Sequence, residues 1–288
     1  MTLQVMLVVL GSALLHALWN ALVRSAADKF SSTVWIVCGA AVWALPLLGT
    51  APVPDVASWP YLIASVLIHG VYFTLVALAY RGSELGVAYP LMRGSAPALT
   101  ALLGVLVLGE TLSLGAGLGV ALVCAGVLGM GMAAWRAQAS VPTFTVLVAL
   151  LNAVVIAIYT LVDGAGVRLA GNALGYTLYL FIGTAVLMLL MAVARHRYAS
   201  VDAGSRPIIT TRDGLKLAAW GGAGTLGAYG LVLWAFAQAP VALVAALRET
   251  SIVFAMVIGA VFLKERLTPP KLIAVALIAA GAVCLKLG

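Results

Sequence analysis

Apolar residues run along the chain in stretches of about twenty, divided by short clusters of charge, glycine and proline. A helix needs about 20 mostly apolar residues to cross about 30 Å of hydrocarbon. Ten stretches meet that length, at residues 3–23, 32–49, 59–80, 85–108, 113–134, 144–163, 173–194, 215–236, 240–263 and 268–287. The joins between them are short, and only 195–213 is long and polar enough to form a loop of its own. The pattern predicts an all-α integral membrane protein of ten transmembrane helices. No stretch is left for a soluble domain that would hold a nucleotide or bind nucleic acid.

Composition agrees. With 64% hydrophobic and 9% charged residues among 288, and a mean hydropathy of +1.15, there is too little polar surface to coat a soluble globule. The first ten residues, MTLQVMLVVL, carry no basic side chain and do not read as a cleavable leader. Arg24, Lys29, Arg81, Arg136, Arg195, Arg197, Arg206, Arg212, Lys216, Lys264, Arg266 and Lys271 fall on one side of the expected bilayer, and only Arg168 and Lys286 on the other. Basic loops resist translocation, so the rich side is expected in the cytoplasm of a cell inner membrane, with both chain ends outside. The net charge of +7 then reports topology and attraction to anionic headgroups.

The two halves repeat each other. Displacing the chain by 155 residues lays LMRGSAPALTALLGVLVLGETLS over ALRETSIVFAMVIGAVFLKERLT, so that Arg93 meets Arg248 and Glu110 meets Glu265. A repeat of five crossings is odd, so its second copy enters the membrane from the opposite face. The expected organisation is an N-terminal five-helix repeat at 1–137 and a C-terminal one at 138–288. Inverted repeats of this kind are a common construction of secondary transporters.

Ten spans in two halves, the Leu108–Leu112 end of segment 4 and its partner LKERLT at the end of segment 9 resemble the drug/metabolite transporter superfamily, EamA type. A narrower similarity, to bacterial amino-acid exporters of the YddG kind, is suggested by chain length and by the His and Trp of LLHALWNALVR. The resemblance implies one ligand cavity between the halves, with segments 5 and 10 at the periphery, and export as the direction.

Side chains at helical spacing mark the faces expected to line that cavity. Segment 1 offers Ser12, His16 and Trp19, with Asn20 beside them; segment 6 offers Asn152, Ile156, Tyr159 and Asp163. Segment 3 offers His69, Phe73 and Tyr80, and segment 8 offers Thr225 and Tyr229; segments 4 and 9 add Tyr89, Arg93, Thr100, Arg248, Glu249 and Ser251. The candidate substrate contacts are therefore His16, Trp19, Asn20, His69, Tyr80, Tyr89, Arg93, Tyr159, Tyr229, Arg248 and Glu249. Plainer readings stand beside these. The histidines fit structural hydrogen bonding equally well, Asn20 could bridge helices, Asp163 could sit at the membrane–water boundary, and the outlying tryptophans fit interfacial anchoring.

The arginines differ in magnitude. Arg93 and Arg248 each lie about 12 Å along their helices, where insertion scales charge about 2.5–3.5 kcal/mol for an ionised side chain. Something must offset that. Arg248 against Glu249 or an opposing carbonyl would do so, although consecutive helical positions point about 100° apart. Pro90, Pro97 and Pro240 mark breaks at comparable places in the two halves, of a kind tolerated where backbone lines a cavity. The small residues of segments 5 and 10 fit close helix packing, as scaffold or as a dimer contact.

GVLVLGET (104–111) has glycine spacing like a phosphate loop but Glu110 where lysine is needed. Cys38, Cys124 and Cys284 lie far apart in apolar runs and imply neither disulfide nor metal. These residues predict no cofactor and no enzymatic chemistry. They predict a gradient-driven carrier for small amphipathic metabolites, with amino acids, aromatic ones included, as the leading class and other metabolites or drugs as the alternative. Glu249, His16 and His69 are the titratable candidates if protons are coupled. The oligomer is a monomer or homodimer, and a membrane enzyme or a non-transporting sensor are the rival classes.

Overall fold

The computed structural model describes residues 1–23, 29–79, 85–136, 142–199, 212–262, 264 and 268–288. Its long helices are α1 (Leu3–Val23), α2 (Lys29–Leu47), α3 (Trp59–Ala79), α4 (Leu85–Leu108), α5 (Leu114–Arg136), α6 (Thr143–Leu169) and α7 (Ala173–Ala199). Short α8 (Arg212–Lys216) runs through a widened turn at Leu217–Gly221 into α9 (Gly222–Phe236), followed by α10 (Val241–Arg248), α11 (Ser251–Phe262) and α12 (Pro269–Leu287). Among the described residues, nine stretches are long and apolar enough to cross a membrane, and α8 with α9 makes the tenth. At the end of the widened turn the Gly222 N–H is shared among the carbonyls of Leu217, Ala218 and Ala219. The Trp43 indole N–H of α2 donates to one of them, Ala219, at 2.9 Å.

Helix ends fall close to the polarity boundaries, with two differences. α6 and α7 extend to Leu169 and Ala199, beyond the expected windows, with Arg168 in the added turn of the first and Arg195 and Arg197 in that of the second. Segment 9, expected as one helix over 240–263, is interrupted at Glu249–Thr250. There the bonding tightens: the N–H groups of Glu249 and Thr250 reach back to Ala246 and Leu247, and the Thr250 hydroxyl also takes the Leu247 carbonyl at 2.7 Å. A threonine hydroxyl competing for a nearby carbonyl is a local cause of such a break.

Contacts between chain ends fix which helix termini share a face. Lys286 Nζ donates to the Met1 carbonyl, Ser113 Oγ to that of Gly288, Asp55 N to that of Ala170, and Arg168 to that of Phe236. Ten crossings require this alternation. The two basic residues of the charge-poor face, Arg168 and Lys286, are thus both bonded within the chain.

The core is built where the halves meet. α4 and α3 of the first half pack on α6 of the second, α1 packs on α9, and α10 fits against α4. α5 and α12 pair at one side of the bundle. A Cβ on Gly281 would come within 2.8 Å of the Gly119 carbonyl oxygen, and one on Gly119 within 2.8 Å of Leu285 N. Gly119 and Gly281 of the two helices are thereby used inside the chain.

Candidate functional site

Arg93 and Arg248, equivalent by repeat, meet different fates. Arg93 is buried on α4, where Pro97 lacks the N–H that would otherwise bond the Arg93 carbonyl. Its Nε donates to Glu249 Oε2 at 3.0 Å, and its terminal nitrogen lies 2.9 Å from Oε1. One charge-assisted hydrogen bond and one close ionic contact thus join the two groups. Glu249 therefore bonds across to α4, and its sequence neighbour Arg248 is left out. Arg248 is 8% exposed, and among the described residues no carboxylate lies within 4.0 Å of its nitrogens. Its guanidinium carbon stands 5.7 Å from the centroid of the Tyr229 ring, a cation–π contact that offsets part of the burial.

Arg93, Arg248 and Glu249 line one cavity with Ala96, Pro97, Thr100, Ile156, Thr160 and Ala245. It measures about 10 Å³, room for a single water molecule. The Arg93–Glu249 pair spans from α4 to the end of α10 at this cavity.

Beside it lies an aromatic group. The His69 ring of α3 stacks at 4.4 Å on Tyr159 of α6 and meets Tyr72, Phe73 and Tyr229 at 6.0–6.3 Å. His69 Nδ1 is held by the Ser65 hydroxyl at 3.1 Å and the Ser65 carbonyl at 2.9 Å. On α1, His16 makes an edge contact with Trp19 at 5.2 Å and lies within electrostatic reach of both arginines. Trp19 packs on Gly224, and among the described residues its indole N–H is buried without a hydrogen-bond partner, as is the Thr225 hydroxyl. Asn20 turns back on its own helix, donating to the His16 carbonyl at 2.8 Å. Tyr80 and the Tyr89 side chain lie outside the described residues.

Asp163, left by the residue pattern between the cavity stripe and the membrane–water boundary, is an interior residue. It is fully buried; Tyr176 of α7 donates to Oδ1 at 3.1 Å and Tyr229 of α9 to Oδ2, while Ser65 and His69 face it from α3. Its place on the stripe of Asn152, Ile156 and Tyr159 was the signal for this.

A second polar knot, which residue patterning did not assemble, joins the halves at the face holding both chain ends. Gly109 adopts a positive φ of 65°, which glycine accepts without steric penalty, and brings Glu110 over the start of α10. The Glu110 carboxylate accepts from Val241 N at 2.7 Å and Ala242 N at 3.3 Å, capping a helix N-terminus from another helix pair. Arg168 donates to Glu110 at 2.9 Å and to the carbonyls of Phe236 and Ala239.

Ten apolar crossings in two repeats, with an ion pair and a second cation buried at their junction, define a membrane transporter of the drug/metabolite type, acting on a small molecule across a lipid bilayer. The chain matches the EamA-like transporter family over residues 3–132 and again over 143–287, and it belongs to that family. A crystal structure of a protein 18% identical superposes with a TM-score of 0.75 over 100% of this chain and 98% of its own, which shows the fold alone. No curated protein matches the chain.

Proposed function

We propose that this protein is a secondary carrier for amino acids, in which Arg248 holds the substrate carboxylate. One observation supports this above the others: Arg248 is buried, opens on the cavity and, among the described residues, has no carboxylate within 4.0 Å. A buried guanidinium offers a planar double donor suited to a carboxylate. The Thr100 and Thr160 hydroxyls and the remaining lone pairs of Glu249 border the same space and suit an ammonium. The aromatic group of His69, Tyr72, Tyr159 and Tyr229 suits an apolar side chain.

In this reading the water-sized cavity is the closed intermediate of alternating access, and the substrate reaches Arg248 when α10 parts from α4. Export from the cytoplasm across the inner membrane, with both chain ends outside, follows from the family resemblance and from the basic loops. Uptake of labelled L-amino acids into proteoliposomes tests the reading. Saturable flux lost in Arg248→Gln supports it; binding without flux points to a sensor, and flux indifferent to Arg248→Gln overturns the assignment of the carboxylate.

A further inference from the structure

We propose that Asp163 is a proton-binding site coupled to occupancy of the Arg248 cavity, with Tyr229 as the side chain common to both. The proposal rests on the transport reading above for its purpose, while its chemistry stands on a separate set of contacts.

Asp163 is fully buried, and among the described residues no lysine, arginine or histidine nitrogen lies within 4.0 Å of its carboxylate. An isolated buried charge is expensive, and an ionisable group within a membrane bundle is by default a functional one. The surroundings suit two protonation states. As a carboxylate, Asp163 accepts from Tyr176 on Oδ1 and from Tyr229 on Oδ2. As a carboxylic acid, it donates its own proton to one phenol, whose hydroxyl then rotates to another acceptor. Nothing need unfold between the two.

Every element packed here contributes a named group. α3 presents Ser65 and His69, α7 Tyr176, α9 Tyr229, and α6 itself Tyr159, which stacks on His69. From α10, Val241 packs on Gly164, and Arg248 of the same helix presents its charge to the Tyr229 ring. His69 is the exchange partner in this set, since a neutral imidazole accepts a proton at one nitrogen and gives one up at the other. The Ser65 hydroxyl, 3.1 Å from His69 Nδ1 and facing Asp163, bridges the imidazole to the carboxylate.

Tyr229 joins this site to the substrate cavity, because its hydroxyl is on Asp163 while its ring face supports Arg248. A negative and a positive charge thus bracket one phenol. A carboxylate arriving at Arg248 neutralises the positive member, and a proton on Asp163 restores the balance. Amino acid and proton therefore bind with positive linkage, and linkage is reciprocal.

The test is an infrared pH titration of the full chain in nanodiscs, following the carbonyl stretch of protonated carboxyl groups. The wild type shows a titrating band that Asp163→Asn lacks. Tyr229→Phe, which removes the hydroxyl but keeps the ring, and Arg248→Gln, which removes the cation without any ligand, each change the proton affinity of that band by at least about fivefold. A titration without an Asp163-dependent band overturns the proposal, as does a band that neither variant moves. In proteoliposomes loaded with a pH dye, an L-phenylalanine gradient changes internal pH for the wild type and not for Asp163→Asn. Absence of amino-acid flux in the wild type sinks only the substrate reading, since the infrared result decides the proton site by itself.

Discussion

Arg93 and Glu249, separated by 156 positions, form a hydrogen-bonded ion pair in the interior of the bundle. One comes from each half, and the carboxylate is supplied by the residue at which α10 ends. The pair therefore neutralises two membrane-buried charges, ties the halves and settles which of the two arginines remains for a ligand.

Removing one member leaves the other as an uncompensated buried charge, which typically costs about 3–5 kcal/mol. Arg93→Gln and Glu249→Gln each lower the unfolding midpoint in detergent strongly. The double variant, with no charge left unpaired, recovers a large part of the loss. Additive destabilisation in the double variant would show that the two side chains do not depend on each other.

Arg248 has no such partner, so Arg248→Gln leaves the midpoint within about 1 kcal/mol of wild type while abolishing saturable amino-acid binding. Arg248→Lys keeps the charge but loses the planar double donor and the flat contact on Tyr229. Its affinity falls by about tenfold or more, corresponding to about 1.4 kcal/mol. Calorimetric titration of both variants separates charge from shape.

Glu110 caps α10 from outside its own half. Glu110→Gln loses the charged cap and the Arg168 pair, weakening the closure by about 1 kcal/mol. A cysteine introduced at Ala242, buried in the present arrangement, then reacts faster with an impermeant maleimide applied to the face bearing residue 288. Unchanged labelling would mean that the knot does not hold this face shut.

At the α5–α12 pair, Gly281→Leu has no space for its side chain. Yield and thermal stability fall sharply. In whatever fraction folds, the relative affinities for different amino acids stay as in wild type, because neither helix contributes a side chain to the cavity.

A reporter fused after Gly288 tests orientation. Activity only on the outside agrees with the charge bias, and cytoplasmic activity reverses the assignment of every face.

Helix number and limits were legible because apolar length and punctuating charge are local properties, and the repeat was legible because Arg93 and Glu110 recur in register as Arg248 and Glu265. What the pattern could not supply was pairing. Glu249 lies next to Arg248 in the chain yet bonds to Arg93, and the break that allows this depends on a threonine hydroxyl that periodicity does not weigh. Asp163 stood on the right stripe, but distance from a helix end does not reveal two phenols converging from other helices. Glu110 was visible only as part of the Leu108–Leu112 motif, with no hint that its partners are Arg168 and the start of α10.

The eight residues of α10 are fastened to the opposite repeat at both extremities, by Glu110 where they begin and by Arg93 where they finish. Mechanically this short rod belongs to the N-terminal lobe although it is encoded in the C-terminal one. If the lobes rock, the line of shear runs through Thr250 and the loop before Pro240 rather than through the linker between repeats. Unlatching either fastening would hand the rod, and Arg248 with it, from one lobe to the other.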